Sequence, residues 1–346
     1  MASAPNASEA GAVWFPRARE VEIRREPVPP VDDDEVRVRA VASALSHGTE
    51  MLVYRGQVPA SLPLDLPTLR GGFCFPIKYG YASVGRVVEA GAGVQRLGVG
   101  DLVFALHPHQ TEYVVPASFP VRLEPGTDPE AAVFLANLET ALNIMLDAAP
   151  RLGERVVIFG LGVIGLLLIQ LLRRAGAGLI IVVDPLPLRR ELGARRGADL
   201  TREPSPDLPE TVRDLTDGIG ADLVIEASGH GPALAQAIDC AAFQGTVIVS
   251  SWYGSKTVTL DLGGAFHRRR LRLISSQVSS IDPALQPRWD HARRLALARD
   301  LLPTLQLVPL ISHRFPFQRA ADAYALVDQH PEQTVQVILT YEESNV

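Results

Sequence analysis

The chain has 346 residues, which indicates more than one domain, because a single hydrophobic core rarely serves more than about 250–300 residues. Apolar residues make up 47% and charged residues 21%, proportions that are ordinary for a globular protein and exclude a disordered chain. A formal net charge of −6 argues against nucleic acid or an anionic membrane as the main partner, and only two cysteines, Cys74 and Cys240, exclude a disulfide scaffold.

The pattern of residues 1–120 predicts short strands separated by turns. Strands are expected at Val36–Val41, Val84–Val88 and Asp101–Ala105, where β-branched residues alternate or run together next to glycines. Apolar residues at helical spacing then predict one helix over Asp128–Ala149, with Pro129 in its first turn, where proline is tolerated.

From Gly153 onward, strands alternate with helices, which predicts a parallel sheet covered on both faces. The expected strands are Arg155–Phe159, Leu179–Val183, Leu223–Glu226, Thr246–Ser250 and Leu271–Ser275. The expected helices are Gly162–Ala175, Pro187–Ala194, Trp289–Leu302 and Ala320–Asp328. The most apolar stretch, Val156–Leu172, is too short and too rich in glycine for a membrane span.

A dinucleotide-binding motif lies between the first of these strands and its helix. The segment Gly160-Leu161-Gly162-Val163-Ile164-Gly165 matches G-x-G-x-x-G, in which the glycines permit a tight turn, approach to a pyrophosphate and close helix packing. Asp184 ends the next strand, where a carboxylate binds ribose hydroxyls and repels a 2′-phosphate, so we predict NAD(H) over NADP(H). Arg189 follows closely and could favour the phosphate instead. Further cofactor contacts are expected at the ends of later strands, from Ser228, Gly229 and Ser250.

The order of segments resembles the medium-chain dehydrogenase/reductase superfamily. The resemblance spans almost the whole chain and is carried by Ser46–Glu50, Gly80–Gly85, Gly100-Asp101, Thr140-Ala141 and the glycine motif. It implies an α/β fold with a mostly-β GroES-like catalytic domain, residues 1–148 and 278–346, around a Rossmann domain, residues 149–277. It also implies a homodimer and a cofactor contact from Thr140. The Gly-Thr-Glu segment is similar to one in the branch of bacteriochlorophyllide-type hydroxyethyl dehydrogenases.

The chain departs from the zinc alcohol dehydrogenases of this superfamily at their metal ligands. Where those enzymes have a cysteine, a His-Glu pair and a third ligand, this sequence has His47, Tyr81-Ala82 and Ala136. His107–Glu112 replaces the cysteine-rich structural zinc lobe. We therefore expect neither zinc, since a catalytic site needs three protein ligands. An irregular site that combines His47 with Glu139 and His107 or His109 stays an alternative.

Without zinc, the reacting oxygen still needs polarisation, which a proton donor can supply. The catalytic candidates are Tyr81, His47, Glu139, Thr49, which matches the proton-relay hydroxyl of the zinc enzymes, and His109. The leading hypothesis is NAD(H)-dependent reduction of an activated double bond, in an enone or enoyl thioester. One alternative is a secondary-alcohol dehydrogenase or ketone reductase, and another is a non-catalytic NADH-binding sensor.

The expected partners follow from charge and from the first residues of the chain. Because no basic segment precedes an apolar one there, no secretory signal is predicted and we expect a cytoplasmic protein. We expect a small-molecule substrate and neither a nucleic-acid nor a membrane partner.

Overall fold

The computed structural model describes residues 9–64, 68–69 and 71–342. The chain folds into two compact units, Met1–Ala136 with Leu307–Val346, and Asn137–Gln306. Relative to the predicted boundaries, residues 137–148 and 278–306 lie in the second unit instead of the first. The polar contacts that join these two segments explain the difference and are described with the site.

The first unit is built mainly from antiparallel strands. Its elements up to residue 136 are β1 Glu9–Phe15, β2 Glu22–Pro27, β3 Glu35–Ala44, α1 Thr49–Tyr54, β4 Ile77–Lys78, β5 Ser83–Ala90, β6 Leu102–Ala105, β7 Glu112–Pro116, β8 Val121–Arg122 and α2 Pro129–Ala132. The predicted strands within β3, β5 and β6 are confirmed.

The predicted helix over Asp128–Ala149 is wrong in one respect, because the structure has two helices there. α2 ends at Ala132, and α3 spans Leu135–Ala148. The N–H of Phe134 donates to the carbonyl oxygen of Ala131 at 3.2 Å, a bond between residues three apart that tightens the chain between the helices. Asp128 caps α2, since its side chain accepts from the N–H of Glu130.

The second unit contains a parallel sheet covered by helices. Its remaining elements are β9 Arg155–Phe159, α4 Val163–Ala175, β10 Leu179–Val183, α5 Pro187–Arg195, β11 Leu200–Arg202, α6 Leu208–Asp214, β12 Ala221–Glu226, α7 Gly231–Cys240, β13 Ala241–Val249, a π-helical turn Leu262–Phe266, β14 Arg272–Ser275, α8 His291–Leu301 and a 3-10 turn Leu302–Thr304. The strand order is β11-β10-β9-β12-β13-β14 and every pair is parallel. This is the order of a doubly wound dinucleotide-binding sheet, so the predicted Rossmann fold is confirmed.

The chain then returns to the first unit. It adds 3-10 turns at Val308–Leu310, Phe317–Arg319 and Pro331–Gln333, together with β15 Ile311–Pro316, α9 Ala320–Gln329 and β16 Gln336–Thr340. β16 pairs with β3, which gives a sheet in the order β15-β16-β3-β5-β6-β8, while β1 joins β2 and β4 in another. The side chains of α1 and α9 share one core with this strand-rich unit, including Met51 and Tyr324, both fully buried.

The apolar stretch Val156–Leu172 comprises most of β9, the glycine turn and most of α4. α4 is buried on all sides, since the consecutive residues Leu166 to Ile169 are all buried, as expected of a helix inside an α/β layer. It ends at Gly176, whose φ of +86° is the left-handed conformation that glycine adopts without strain. Within residues 9–64, 68–69 and 71–342, no helix is long and apolar enough to cross a membrane.

Candidate active site

The glycine motif forms the turn between β9 and α4. Gly160 has a φ of +94°, and a Cβ atom there would lie 2.7 Å from the backbone nitrogen of Ser228. A Cβ on Gly165 would lie 2.1 Å from the carbonyl oxygen of Gly160, so the helix packs too closely for any side chain. A Cβ on Gly162, at the start of α4, would meet nothing within 4 Å. Gly162 therefore faces open space at a helix N-terminus, where backbone N–H groups bind phosphate.

Asp184 fastens this turn to the end of β10. Its carboxylate is 3% exposed and accepts from the N–H of Leu161 at 2.7 Å and from the N–H of Leu186 at 2.9 Å. The nearby guanidinium of Arg189 has a lowered pKa because it is desolvated, although the charge of Asp184 opposes that shift. The acidic residue and the competing arginine of the sequence prediction thus lie together. Val163 and Ile164, the other predicted residues, form the first turn of α4.

The predicted serines at the ends of β12 and β13 both donate hydrogen bonds from their hydroxyl groups to Glu226. Ser228 donates to the carboxylate of Glu226 at 2.6 Å, and Ser250 donates to the carbonyl oxygen of Glu226 at 2.8 Å. Gly229 donates its N–H to the same carboxylate at 2.9 Å. Glu226 was not among the predicted residues, yet it organises this edge. The available signal was an acidic residue that ends an apolar strand directly before Ala-Ser-Gly.

Glu139 and Thr140 lie on α3, where Glu139 belongs to a buried polar network of the second unit. Arg294, 4% exposed, donates to Glu139 at 3.3 Å and to the Asn143 side-chain oxygen at 2.6 Å. Asn143 in turn donates to the carbonyl oxygen of Gln277 at 3.2 Å. Burial raises the pKa of Glu139 despite the opposing effect of Arg294. These bonds connect α3, α8 and the end of β14, and they place all three in one unit.

In the first unit, Tyr81 meets the segment that leads into α1. Its phenol donates to the hydroxyl of Ser46 at 2.5 Å. Desolvation raises the pKa of Tyr81 to about 12, against the opposing effect of the Ser46 hydrogen bond. Of the predicted candidates, Tyr81 therefore lies against the segment that leads into α1, and Thr49 is the first residue of that helix. His47 lies between Ser46 and α1 and is partly buried.

His109 is placed in the core, where it pairs with Glu50. Both residues are 0% exposed, and His109 Nε2 lies 2.7 Å from Glu50 Oε1 while Nδ1 lies 2.7 Å from Ser43 Oγ. Glu50 also accepts from the Tyr324 hydroxyl and, at 3.0 Å, from the N–H of Ser46. His109 therefore supports the segment of Ser46 through Glu50 and has no solvent-facing surface. Sequence reasoning missed Glu50, although it directly follows Thr49.

His107 is a packed residue. Its ring stacks on Tyr113 with 3.7 Å between centroids, and Nδ1 lies 3.0 Å from the carbonyl oxygen of Pro108. Burial lowers the pKa of His107 to about 3, so its ring is neutral at physiological pH.

Comparison with known proteins agrees with this architecture. The family model for zinc-binding dehydrogenases matches residues 163–296. A D-guloside 3-dehydrogenase of Escherichia coli K12 is 31% identical over 328 residues, which cover 89% of this chain and 93% of that protein. The chain belongs to the zinc-binding dehydrogenase family. The predicted oxidoreductase of medium-chain dehydrogenase/reductase type is thereby confirmed.

Less similar proteins also match this chain over most of its length. An L-threonine 3-dehydrogenase of Pyrococcus horikoshii is 28% identical, over 87% of this chain and 90% of its own length. Among solved structures, a zinc-binding dehydrogenase of Sinorhizobium meliloti 1021 bound to NADP has a TM-score of 0.76 at 22% identity, covering 96% of this chain and 99% of that one. An alcohol dehydrogenase of E. coli CFT073 complexed with NADH has a TM-score of 0.79 at 21% identity, with the same coverage. These structures support the fold.

Within the described part of the chain, the residues at the implied zinc-ligand positions do not fit zinc. No three His, Cys, Asp or Glu side chains group there as a metal site requires. At the positions that the resemblance implies for the ligands, Tyr81 and Ala136 replace stronger donors, and His47 is the remaining imidazole. Glu50 and His109 are hydrogen-bonded to each other, and their other polar atoms are engaged by Ser43, Ser46 and Tyr324.

Proposed function

We propose that the protein is a nicotinamide-dependent, zinc-independent dehydrogenase that interconverts a secondary alcohol and a ketone on a polyhydroxylated small molecule. The relatives support this alternative over double-bond reduction, because two of them are named for 3-dehydrogenation, of a guloside and of threonine. Carbon 3 of threonine carries a secondary hydroxyl. The enone or enoyl thioester that the sequence suggested has no counterpart among these relatives.

The observation that carries the proposal is the Tyr81 phenol, hydrogen-bonded to Ser46 beside α1, at a position where the resemblance to the zinc alcohol dehydrogenases implies a metal ligand. Because burial raises the pKa of Tyr81 to about 12, the phenol is protonated at neutral pH. When the Ser46 hydroxyl rotates so that it donates to the phenol oxygen, the phenol can donate its own hydrogen bond, and finally its proton, to a ketone oxygen as negative charge builds there. In the reverse direction the phenolate accepts the alcohol proton.

The second unit supplies the nucleotide site. The turn of Gly160, Gly162 and Gly165 fits a pyrophosphate, and Asp184 follows β10 at the position where an acidic residue of a Rossmann fold binds the adenosine ribose hydroxyls, which supports NAD(H). We also expect Thr140 and Arg189 to contact that cofactor. When bound, the dinucleotide supplies or takes up the hydride.

The test is turnover by Tyr81→Phe on a panel of glycosides and polyols with NAD⁺ and NADP⁺. We expect the native protein to oxidise a member of the panel, and the variant to lose about 10²–10⁴-fold in kcat, as removal of a general acid or base does. Tyr113→Phe is the matched control, because that phenol is also buried and lies 3.2 Å from the Ser83 hydroxyl. Equal loss in both variants would contradict the role of Tyr81. Tight NADH binding without turnover of any alcohol, ketone or enone would favour the sensor.

Two further predictions belong to this proposal. We expect a homodimer, supported by the edge strand β14, on which Arg272 and Leu273 are both exposed. We also expect a cytoplasmic protein. Light scattering of the purified protein measures the first, and fractionation of the source cells measures the second.

A further inference from the structure

We infer that Glu226 is a positioning residue for the dinucleotide. Its carboxylate fixes the conformation of the loop Ala227–Gly229, against which the glycine turn packs. The inference rests on the proposed function in one respect, that the turn binds a nicotinamide dinucleotide. It requires no particular substrate and no role for Tyr81.

Glu226 ends β12 and is 0% exposed, yet its carboxylate is fully engaged. Oε1 accepts from the N–H of Ser228 at 2.6 Å, from the Ser228 hydroxyl at 2.6 Å and from the N–H of Gly229 at 2.9 Å. Oε2 accepts from the Tyr253 hydroxyl at 2.9 Å. Four donors on one carboxylate offset the cost of burying its charge, and they impose one conformation on the residues that follow.

The same residue joins the loops that follow neighbouring strands. The carbonyl oxygen of Glu226 accepts from the N–H of Ser250 at 3.0 Å, at the end of β13. Gly229, with a φ of +67°, shares its N–H between Glu226 and the Ser251 hydroxyl, which lies at 2.8 Å. Tyr253 lies in the same loop as Ser250 and Ser251, which follows β13. The carboxyl ends of β12 and β13 are therefore held together through Glu226.

The folded loop lies directly against the glycine turn. A Cβ on Gly160 would stand 2.7 Å from the Ser228 nitrogen and 2.8 Å from the Ala227 carbonyl carbon, so backbone meets backbone there. The N–H of Ala227 also donates to the carbonyl oxygen of Phe159 at 2.7 Å, immediately before the turn. If the loop relaxes, Gly160 loses the surface that fixes its conformation. The N–H of Leu161 already donates to Asp184, so the N–H groups that approach the pyrophosphate are those at the start of α4, which follows this turn.

The inference distinguishes two substitutions of Glu226. Glutamine keeps one oxygen that can accept from Ser228 and Gly229, and its amide can donate to a Tyr253 hydroxyl that rotates to accept. Alanine leaves Ser228, Gly229 and Tyr253 with no acceptor at that position. We expect Glu226→Ala to raise the Kd for NADH by at least about tenfold, because hydrogen bonds to a charged group are lost from the binding surface. Glu226→Gln should stay within about threefold of the native Kd.

The experiment is titration of NADH and NADPH into the full-length native protein and its variants, followed by nucleotide fluorescence, with the melting temperature recorded in parallel. The matched control is Asp222→Ala, at the amino end of the same strand, where the carboxylate accepts from the N–H of Arg155 at 2.8 Å. A merely structural role would lower the melting temperature in both alanine variants and leave both Kd values at the native level. The positioning role predicts a raised Kd for Glu226→Ala alone, rescued by glutamine.

Because removing a buried carboxylate can prevent folding, Ser251→Ala serves as the second variant. It deletes one acceptor of the Gly229 N–H at a partly exposed position and should raise the Kd for NADH about threefold. A native Kd for Ser251→Ala and for every folded Glu226 variant would overturn the inference and leave the proposed function intact. A native protein that binds neither NADH nor NADPH would overturn both.

Discussion

The substitution His109→Leu tests whether the buried pair supports the Tyr81 segment. Leucine fills a similar volume, so the change removes two hydrogen bonds of 2.7 Å, to Glu50 and to Ser43, without opening a large cavity. Glu50 keeps its bonds from Tyr324 and from the Ser46 N–H, but the oxygen that faced the imidazole loses a donor while remaining fully buried.

We expect a large loss of stability because neither His109 nor Glu50 contacts solvent. Loss of a hydrogen bond to a charged group costs about 1.5–3 kcal/mol, and breaking a buried pair by removing one partner costs about 3–5 kcal/mol in total. We therefore expect the free energy of unfolding of the first unit to fall by about 3 kcal/mol, a large part of the roughly 5–15 kcal/mol that a domain has.

The assay is urea unfolding followed by the fluorescence of Trp14, after Trp252 and Trp289 have been replaced by phenylalanine so that the signal comes from the first unit. His330→Leu is the matched control. Its partner Glu332 lies 3.2 Å away, and both side chains of that pair are about half exposed, so its midpoint should not move. A loss below about 1 kcal/mol in His109→Leu would refute the reasoning.

Three further predictions concern Tyr81, which we propose as the proton donor, and the glycine turn. Because the pKa of Tyr81 is raised to about 12 and oxidation needs the phenolate, kcat/KM for the alcohol should rise by about tenfold per pH unit between pH 7 and 10, and a flat profile would argue against this base. Gly165→Ala should prevent folding of the second unit. Gly162→Ala should keep the native circular dichroism and melting temperature but bind NADH at least about tenfold more weakly. Equal behaviour of the two variants would contradict the assigned geometry. Asp184→Asn should change the ratio of the NADH and NADPH Kd values by about tenfold in favour of NADPH binding, because no carboxylate then repels a 2′-phosphate beside Arg189. An unchanged ratio would show that Asp184 does not select the cofactor.

The sequence predicted the second unit well because its signals are local. β9 and β10 were expected at the residues where they occur, since each is a short apolar run bounded by turn residues. The glycine turn was predicted in the same way, because its motif is a run of six consecutive residues between a strand and a helix, although Gly160 itself packs against Ala227 and Ser228, which are distant in sequence. By contrast, β1 and β2 gave no signal that sequence reasoning recognised. Glu22–Pro27 is a charged edge strand in which no side chain is fully buried.

The polar networks could not be predicted because their members are far apart in sequence. Glu50 lies 59 residues from His109 and 274 residues from Tyr324, and only the fold brings them together. Glu139 was expected to be catalytic from its place on the helix, but its partner Arg294 is 155 residues away and ties it into the second unit. Spacing along a chain identifies residue types that suit a reaction. It does not reveal which of them are already engaged by distant partners.

The central claim is that this zinc-binding dehydrogenase transfers the proton through Tyr81 without a metal. The most direct measurement is alcohol oxidation by protein dialysed against a chelator, with the zinc content per chain determined by mass spectrometry on the same sample. We expect much less than one zinc per chain at full activity, and loss of that activity in Tyr81→Phe. Activity that falls and returns in proportion to zinc content would contradict the account.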